Sequence, residues 1–179
     1  MDLAMLREEY DLARHYTQSL YAELSDAEVQ WRPTPTSSSI AWHLGHQAAV
    51  THLVLRNLIS AEPSLNPSFD ALFDAANPQE NRGALPSLAE IITYRDAVAE
   101  RTHAHLAAVL EGDRPAAHDA AQQVARIMAP IVVSLINHEY QHDCWVREMR
   151  ALLSRDTPDT VFSSRVRQID GYWGLPFTR

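Results

Sequence analysis

PIVVSLINHEYQHDCWVREMRALLS, residues 130–154, decides how this chain is read. Ile131, Leu135, Trp145, Met149 and Leu152 return at helical spacing, so they fall close to one direction around a helix axis. His138 and His142 point the same way, about 40° apart around the axis and about 6 Å along it, so both imidazoles can reach one metal ion. The expectation is a core-facing helical seam interrupted by two histidines. Buried imidazoles need partners: a metal, carbonyls or carboxylates.

His138-Glu139-Tyr140-Gln141-His142 is also a literal H-E-x-x-H, the pattern of zinc peptidases. Such enzymes take a third ligand from further along the chain. In the continuation HEYQHDCWVRE, Trp145 stands where one peptidase class has Gly and Glu148 where it has His. A second class uses a glutamate from a later helix, and no glutamate follows Glu148. Asp170, in QIDGYW, keeps an aspartate-ligand peptidase formally open, but no strand edge is evident to hold a peptide backbone. The zinc peptidase is the least favoured reading.

Outward from this helix the chain reads as all-α. Leu3, Leu6, Tyr10, Ala13 and Leu20 lay one stripe along a first helix ending near Leu24. After an SDAEV turn and the loop WRPTPTSSS, where Pro33 and Pro35 block propagation, the serines offer N-caps to a second helix running to about Ser60. Pro63, Pro67, Pro78 and Pro86 punctuate a long connection, within which FDALFDAA has the spacing of one or two helical turns. Ser87 with Glu90 forms a capping box for a third helix closed by Gly112. The fourth starts around Pro130, a good first helical position, and continues through Ser154, with residues 116–128 as a separate helix before it. No segment alternates as a strand flanked by hairpin turns. The expected fold is a four-helix bundle with a long loop after helix 2: one domain over residues 1–179, its core about 1–154 and a tail at 155–179.

The second helix supplies the third ligand. Around His46 lie Trp42, His43, Ala49, Val50, Leu53 and Asn57, so His46 is the polar centre of an apolar face. If helices two and four share the core, His46 joins His138 and His142 in a three-His site with open positions for water or substrate. His43, at the edge of that face, is the competing ligand or a hydrogen-bond donor to one. His52 points nearly opposite and is expected in solvent. Glu139, one residue from a ligand, is the candidate catalytic base, against a supporting or solvent-facing role. Cys144 lies about 140° from the metal direction and is given no role.

Composition limits the partners. Fifteen Lys plus Arg against 23 Asp plus Glu give a formal charge of −8, which disfavours nucleic acid and anionic membranes. No run of apolar residues suits a membrane span or a signal segment, so a cytoplasmic protein is expected. The single cysteine excludes an internal disulfide and a Cys-rich zinc module. Any metal must sit on His and oxygen ligands.

SSSIAWHLGH at 37–46 and NHEYQH at 137–142, with FDALFDAA, RGALPS and EIITYRDAV in order between them, resemble the DinB/YfiT-like helical bundle proteins. The likeness is closest to the metal-binding N-terminal domain of the ergothioneine-type sulfoxide synthases and covers roughly residues 30–150. In that domain WHLGH and HExQH segments supply three iron-binding histidines. The resemblance therefore implies His46, His138 and His142 as metal ligands. The sulfoxide synthases complete their active site with a large second domain, which the 25 residues 155–179 are not expected to form. AAVTHL also stands where they carry an aromatic and acidic run. Carbon–sulfur bond formation on ergothioneine precursors is thus not implied for this chain alone. Stand-alone members of the wider family include metal-dependent thiol transferases and isomerases. The functional expectation is a metal-dependent enzyme acting on a small-molecule substrate, with a divalent metal ion (iron, zinc or nickel) and a low-molecular-weight thiol as cofactors. The alternatives are a non-catalytic metal-binding module, or a metal-free one whose pocket takes a small molecule or whose apolar face forms a homodimer.

Overall fold

The computed structural model describes residues 2–57, 61–77, 84–110, 118–160 and 162–177, apart from the side chains of 118–125. Four long helices form the bundle: α1 (Leu3–Tyr21), α3 (Ile40–Leu55), α5 (Leu88–Leu110) and α6 (His118–Leu152). Short helices α2 (Asp26–Gln30) and α4 (Pro67–Leu72) lie in the connections. Each start has a local cause. The Asp2 side chain accepts from Met5 N–H, Ser39 from Trp42 N–H and Asn66 from Phe69 N–H, each capturing a donor that the first turn leaves without a partner. Ser87 and Glu90 make the expected reciprocal box at α5. Ser25 and Glu28 make another, so SDAEV, expected as a turn, is helix α2.

Contacts between the helices give their directions. Thr17 meets Asp143 and Leu20 meets Arg150, so α1 and α6 run parallel. His46 faces His138 while His43 faces Trp145, so α3 and α6 are antiparallel. Asp11 pairs with His103 and Arg14 with Asp96, so α1 and α5 are antiparallel as well. The directions run up, down, down, up along the chain, and α3 packs between α5 and α6. Leu6, Leu20, Ile40, Leu44, Ile91, Val98, Val132 and Ile136 fill the centre. No helix among the described residues is long and apolar enough to cross a membrane.

Three further expectations are corrected here. The fourth helix does not start at Pro130: α6 runs through it from His118. Proline removes one backbone hydrogen bond, but Arg126 and Pro130 are both exposed, so water can take the carbonyl left over. Met128 and Val132 meanwhile keep the helix seated in the core. The apolar seam on α6 is also less buried than its period implies. Leu135 and Met149 are inside, but Trp145 is 41% exposed and Leu152 62% exposed, so the histidine face looks toward the bundle's edge.

The third correction is the tail, which is part of the core. β1 (Arg167–Ile169) and β2 (Tyr172–Gly174) pair antiparallel across Asp170 and Gly171, whose φ values of 45° and 94° are those of a tight hairpin turn. Val166 and Leu175 are buried, and the Phe162 ring packs on Tyr16, Tyr140 and Trp173. Glu9, fully buried on α1, is paired with Arg165 at 2.9 Å and Ser163 at 2.8 Å. Asn137 grips β2's end: its Oδ1 accepts from Leu175 N–H at 2.7 Å and its Nδ2 donates to Leu175 O at 2.9 Å. Gly174 permits this approach, because a Cβ there would stand 2.8 Å from Asn137 Oδ1. Asn137→Ala leaves both Leu175 backbone groups buried without that partner and is expected to cost ~1–3 kcal/mol. Urea denaturation of the metal-free variant checks this, with faster proteolysis of the hairpin as the companion sign.

Candidate metal centre

Three histidines from two helices converge. Single donor nitrogens of His46, His138 and His142 all lie within 4.8 Å of one another. Among the described residues no carboxylate or thiolate joins them. An ion held at ~2.0–2.1 Å by each nitrogen in tetrahedral or octahedral geometry needs its donors roughly 2.9–3.4 Å apart, so side-chain rotation must draw the more distant of them inward.

The hydrogen bonds assign protons to the rings. His46 Nδ1 lies 2.7 Å from the carbonyl of Phe73. A carbonyl only accepts, so Nδ1 carries the hydrogen and the ring's lone pair is on Nε2. Phe73 can offer this oxygen because α4 ends at Leu72, leaving terminal carbonyls without helical partners. His142 Nδ1 lies 2.8 Å from His43 Nδ1, so exactly one of the two bears the shared hydrogen. The arrangement that puts a lone pair on His142 Nε2 has His142 donating and His43 accepting. In that arrangement His43 stays outside the three-His group and holds His142 in place. His138 Nδ1 is buried with no hydrogen-bond partner among the described residues, a polar atom that a ligand would satisfy. The donors fit a metal.

Aromatic rings wall the cluster. Trp42 stacks on His46 with centroids 4.6 Å apart and planes 12° from parallel. Trp145 covers His43 and stands edge-on to His142 at 4.8 Å, with its exposed side open to solvent. Burial pushes the His138 imidazole down to about 4, with His46 adding to the effect. Burial, then the neighbouring histidines, hold His142 far below its ordinary value. Both are therefore neutral bases at pH 7, the state that binds a metal.

On α6 the acids lie one step around from His138 and His142. Glu139, the candidate base, is 2% exposed and points into the core, where Arg95 donates to it at 3.1 Å and Thr17 lies 3.2 Å away. Arg95, itself 3% exposed, also donates to Leu44 O at 2.6 Å and Gln47 Oε1 at 2.8 Å. Gln47 Nε2 in turn donates to Glu139 O and to Asp143 Oδ1. Burial, then the charge of Glu139, hold the Asp143 carboxyl well above the usual carboxylate range. The hydrogen count agrees. Thr17 Oγ1 is near three acceptors, Ala13 O, Glu139 Oε2 and Asp143 Oδ2, with one hydrogen to give. A protonated Asp143 donates to Thr17 and resolves this.

Sequence reasoning missed this network. Its signal was Arg95, a charge in the buried stripe of Ile91, Val98 and Thr102 on α5. The remaining sequence candidates separate clearly. Asp170 occupies the hairpin turn, exposed and outside the cluster. Cys144 is half-buried, its thiol donating to Tyr140 O at 3.5 Å. His52, expected in solvent, is 1% exposed: α3 is covered on both sides, and residues after it fold back so that Leu65 N–H donates to His52 Nε2.

A helical bundle carrying histidines from two core helices defines the class to which this chain belongs, and comparison with known families agrees. The family model of the DinB superfamily matches residues 9–146, and the chain is a member of that superfamily. A search of curated proteins finds no match.

Because Asp143 is held neutral, Asp143→Asn replaces an acid by its near isostere and is expected to change stability by less than ~1 kcal/mol at pH 5 or below. Glu139→Gln, which takes the counter-charge from buried Arg95, is expected to cost ~3–5 kcal/mol. Linkage sets the sign of the pH effect. Above ~4 the unfolded aspartate loses a proton that the folded one keeps, so wild type loses stability as pH rises toward the raised value. Asp143→Asn lacks this loss and should gain on wild type over the same window. Urea titrations of the three proteins across pH decide it; a variant that falls behind wild type as pH rises contradicts a protonated Asp143.

Proposed function

We propose that this protein is a metal-dependent enzyme acting on small molecules, with His46, His138 and His142 as ligands and thiol-dependent transfer or isomerisation as its chemistry. The observation that carries the reading is the all-imidazole donor set. Three neutral ligands leave a divalent ion its full charge and leave coordination positions for substrate. When bound, such an ion lowers the pKa of a coordinated water or thiol toward neutrality. Membership of the DinB superfamily supports the class of site. The WHLGH and HEYQH likeness to the sulfoxide synthase domain favours iron, while zinc and nickel suit the same donors.

In this reading the chain's own groups orient and exclude. Phe73 and His43 hold two of the imidazoles, and the Trp42 and Trp145 rings keep water from one side of the cluster. Glu139 serves as the counter-ion of Arg95 and leaves the base role unfilled: moving its carboxylate toward a thiol would strand a buried guanidinium. The peptidase alternative loses its third ligand, because Asp170 lies in the hairpin turn, outside the cluster.

The test is elemental analysis of protein purified without an affinity tag, followed by turnover assays pairing low-molecular-weight thiols with electrophiles. His46→Ala, His138→Ala and His142→Ala should each strip or weaken the metal and abolish turnover. His43→Ala should weaken it less, and Asp170→Ala should leave it bound. Stoichiometric metal without turnover on any thiol would favour the binding module. Metal-dependent cleavage of an unstructured protein, lost in Asp170→Ala, would restore the peptidase.

A further inference from the structure

The segment 61–73 reaches the histidine cluster through the Phe73 carbonyl, 2.7 Å from His46 Nδ1. What surrounds that atom is built to hold it still. The Phe73 ring is fully buried and lies directly on the backbone of Gly45, where an added Cβ would stand 2.3 Å from two of its carbons. No side chain other than hydrogen allows this contact between the two histidines of WHLGH. Phe69 packs edge-on against Phe73 and against Tyr94 of α5. Asp70 then ties the segment to both neighbouring helices: it accepts from Tyr94 Oη at 2.7 Å, Ser64 Oγ at 2.6 Å and Arg56 at 3.4 Å. At the other end Leu65 N–H donates to His52 Nε2 at 3.0 Å, and Glu62 pairs with Arg101 and His105.

Five polar attachments to α5, α3 and its C-cap, with a glycine-dependent ring contact, exceed what covering α3 requires of a surface connection. Their common result is a fixed position for one carbonyl oxygen. We propose that residues 61–73 are the positioning element of the metal centre, with Gly45 and His52 as its seats on α3, and that through Phe73 O they set the tautomer and rotation of His46. This rests on the three-His reading above. A carbonyl on Nδ1–H both selects Nε2 as the donor nitrogen and raises its basicity, and losing such partners typically weakens metal binding by ~10–100-fold.

The experiment measures Co²⁺ affinity and the Co²⁺ absorption spectrum of purified variants, with nitrogen-15 imidazole NMR of the metal-free protein. Gly45→Ala pushes Phe73 off α3 and should weaken Co²⁺ by ~10-fold or more. His52→Leu, two contacts from any ligand, should weaken it in the same direction and alter the spectrum. His52→Gln keeps an acceptor for Leu65 N–H and should restore both toward wild type. In wild type the His46 Nδ1–H signal should be hydrogen-bonded and slow to exchange, and in His52→Leu it should exchange faster. If His46→Ala and His138→Ala lose Co²⁺ while Gly45→Ala and His52→Leu keep wild-type affinity and spectrum, the positioning role is overturned and the metal site stands. If the ligand variants bind Co²⁺ as wild type does, the site reading fails and the proposal with it. Should Gly45→Ala fold poorly, the His52→Leu and His52→Gln pair still decides, because a purely structural role would not move the His46 signal or its rescue.

Discussion

The guanidinium of Arg95 joins all four long helices in one buried layer. It leaves α5, donates to a backbone carbonyl and Gln47 of α3, and pairs with Glu139 of α6, whose carboxylate lies within hydrogen-bond distance of Thr17 of α1. A charge this deep is costly unless each of its donors is met, so the helices have little freedom to slide or rotate past one another. Thr17, Gln47 and Asp143 complete the accounting with one proton held in place of a second negative charge. The layer directly beside it holds the imidazoles, and their register follows from the same constraint.

Helix α6 serves both layers by alternation. His138 and His142 lie on one side, and Glu139 and Asp143, each one residue later, lie about 100° further round. The side that faces α3 toward the bundle's edge thus carries only neutral bases. The side that faces the core carries the acids, and these are consumed by Arg95, Gln47 and Thr17. An ion on the histidines meets no protein carboxylate among the described residues. That separation is what gives the H-E-x-x-H sequence a different chemical meaning here from the one it has in a peptidase, where the glutamate faces the metal-bound water.

Parts of the chain outside the four helices do more than connect them. Residues 61–73 deliver a carbonyl to His46, and residues 162–177 neutralise Glu9 and seal the outer side of α6. Both attach to buried positions on the long helices: His52 and the Gly45 backbone on α3, Glu9 on α1, Asn137 on α6.

Much was determined by local pattern alone. The period of the apolar residues gave the four helices, the capping serines the starts of α3 and α5, and the wheel around His46 and the HEYQH spacing the three histidines that converge. These properties depend on neighbours within a turn or two, which the sequence displays directly. The run of α6 through Pro130 was not legible, because whether water or protein takes the freed carbonyl depends on exposure. The Asp170–Gly171 hairpin carried a readable turn signal, but strands of three residues are too short to show alternation. The burial of His52, the seating of the tail and the orientation of Glu139 were decided only by the tertiary structure. Each turns on which donor or acceptor arrives from another element. A carboxylate beside a histidine reads the same in one dimension whether it faces a substrate or, as here, an arginine 44 residues away in sequence that donates to it from another helix.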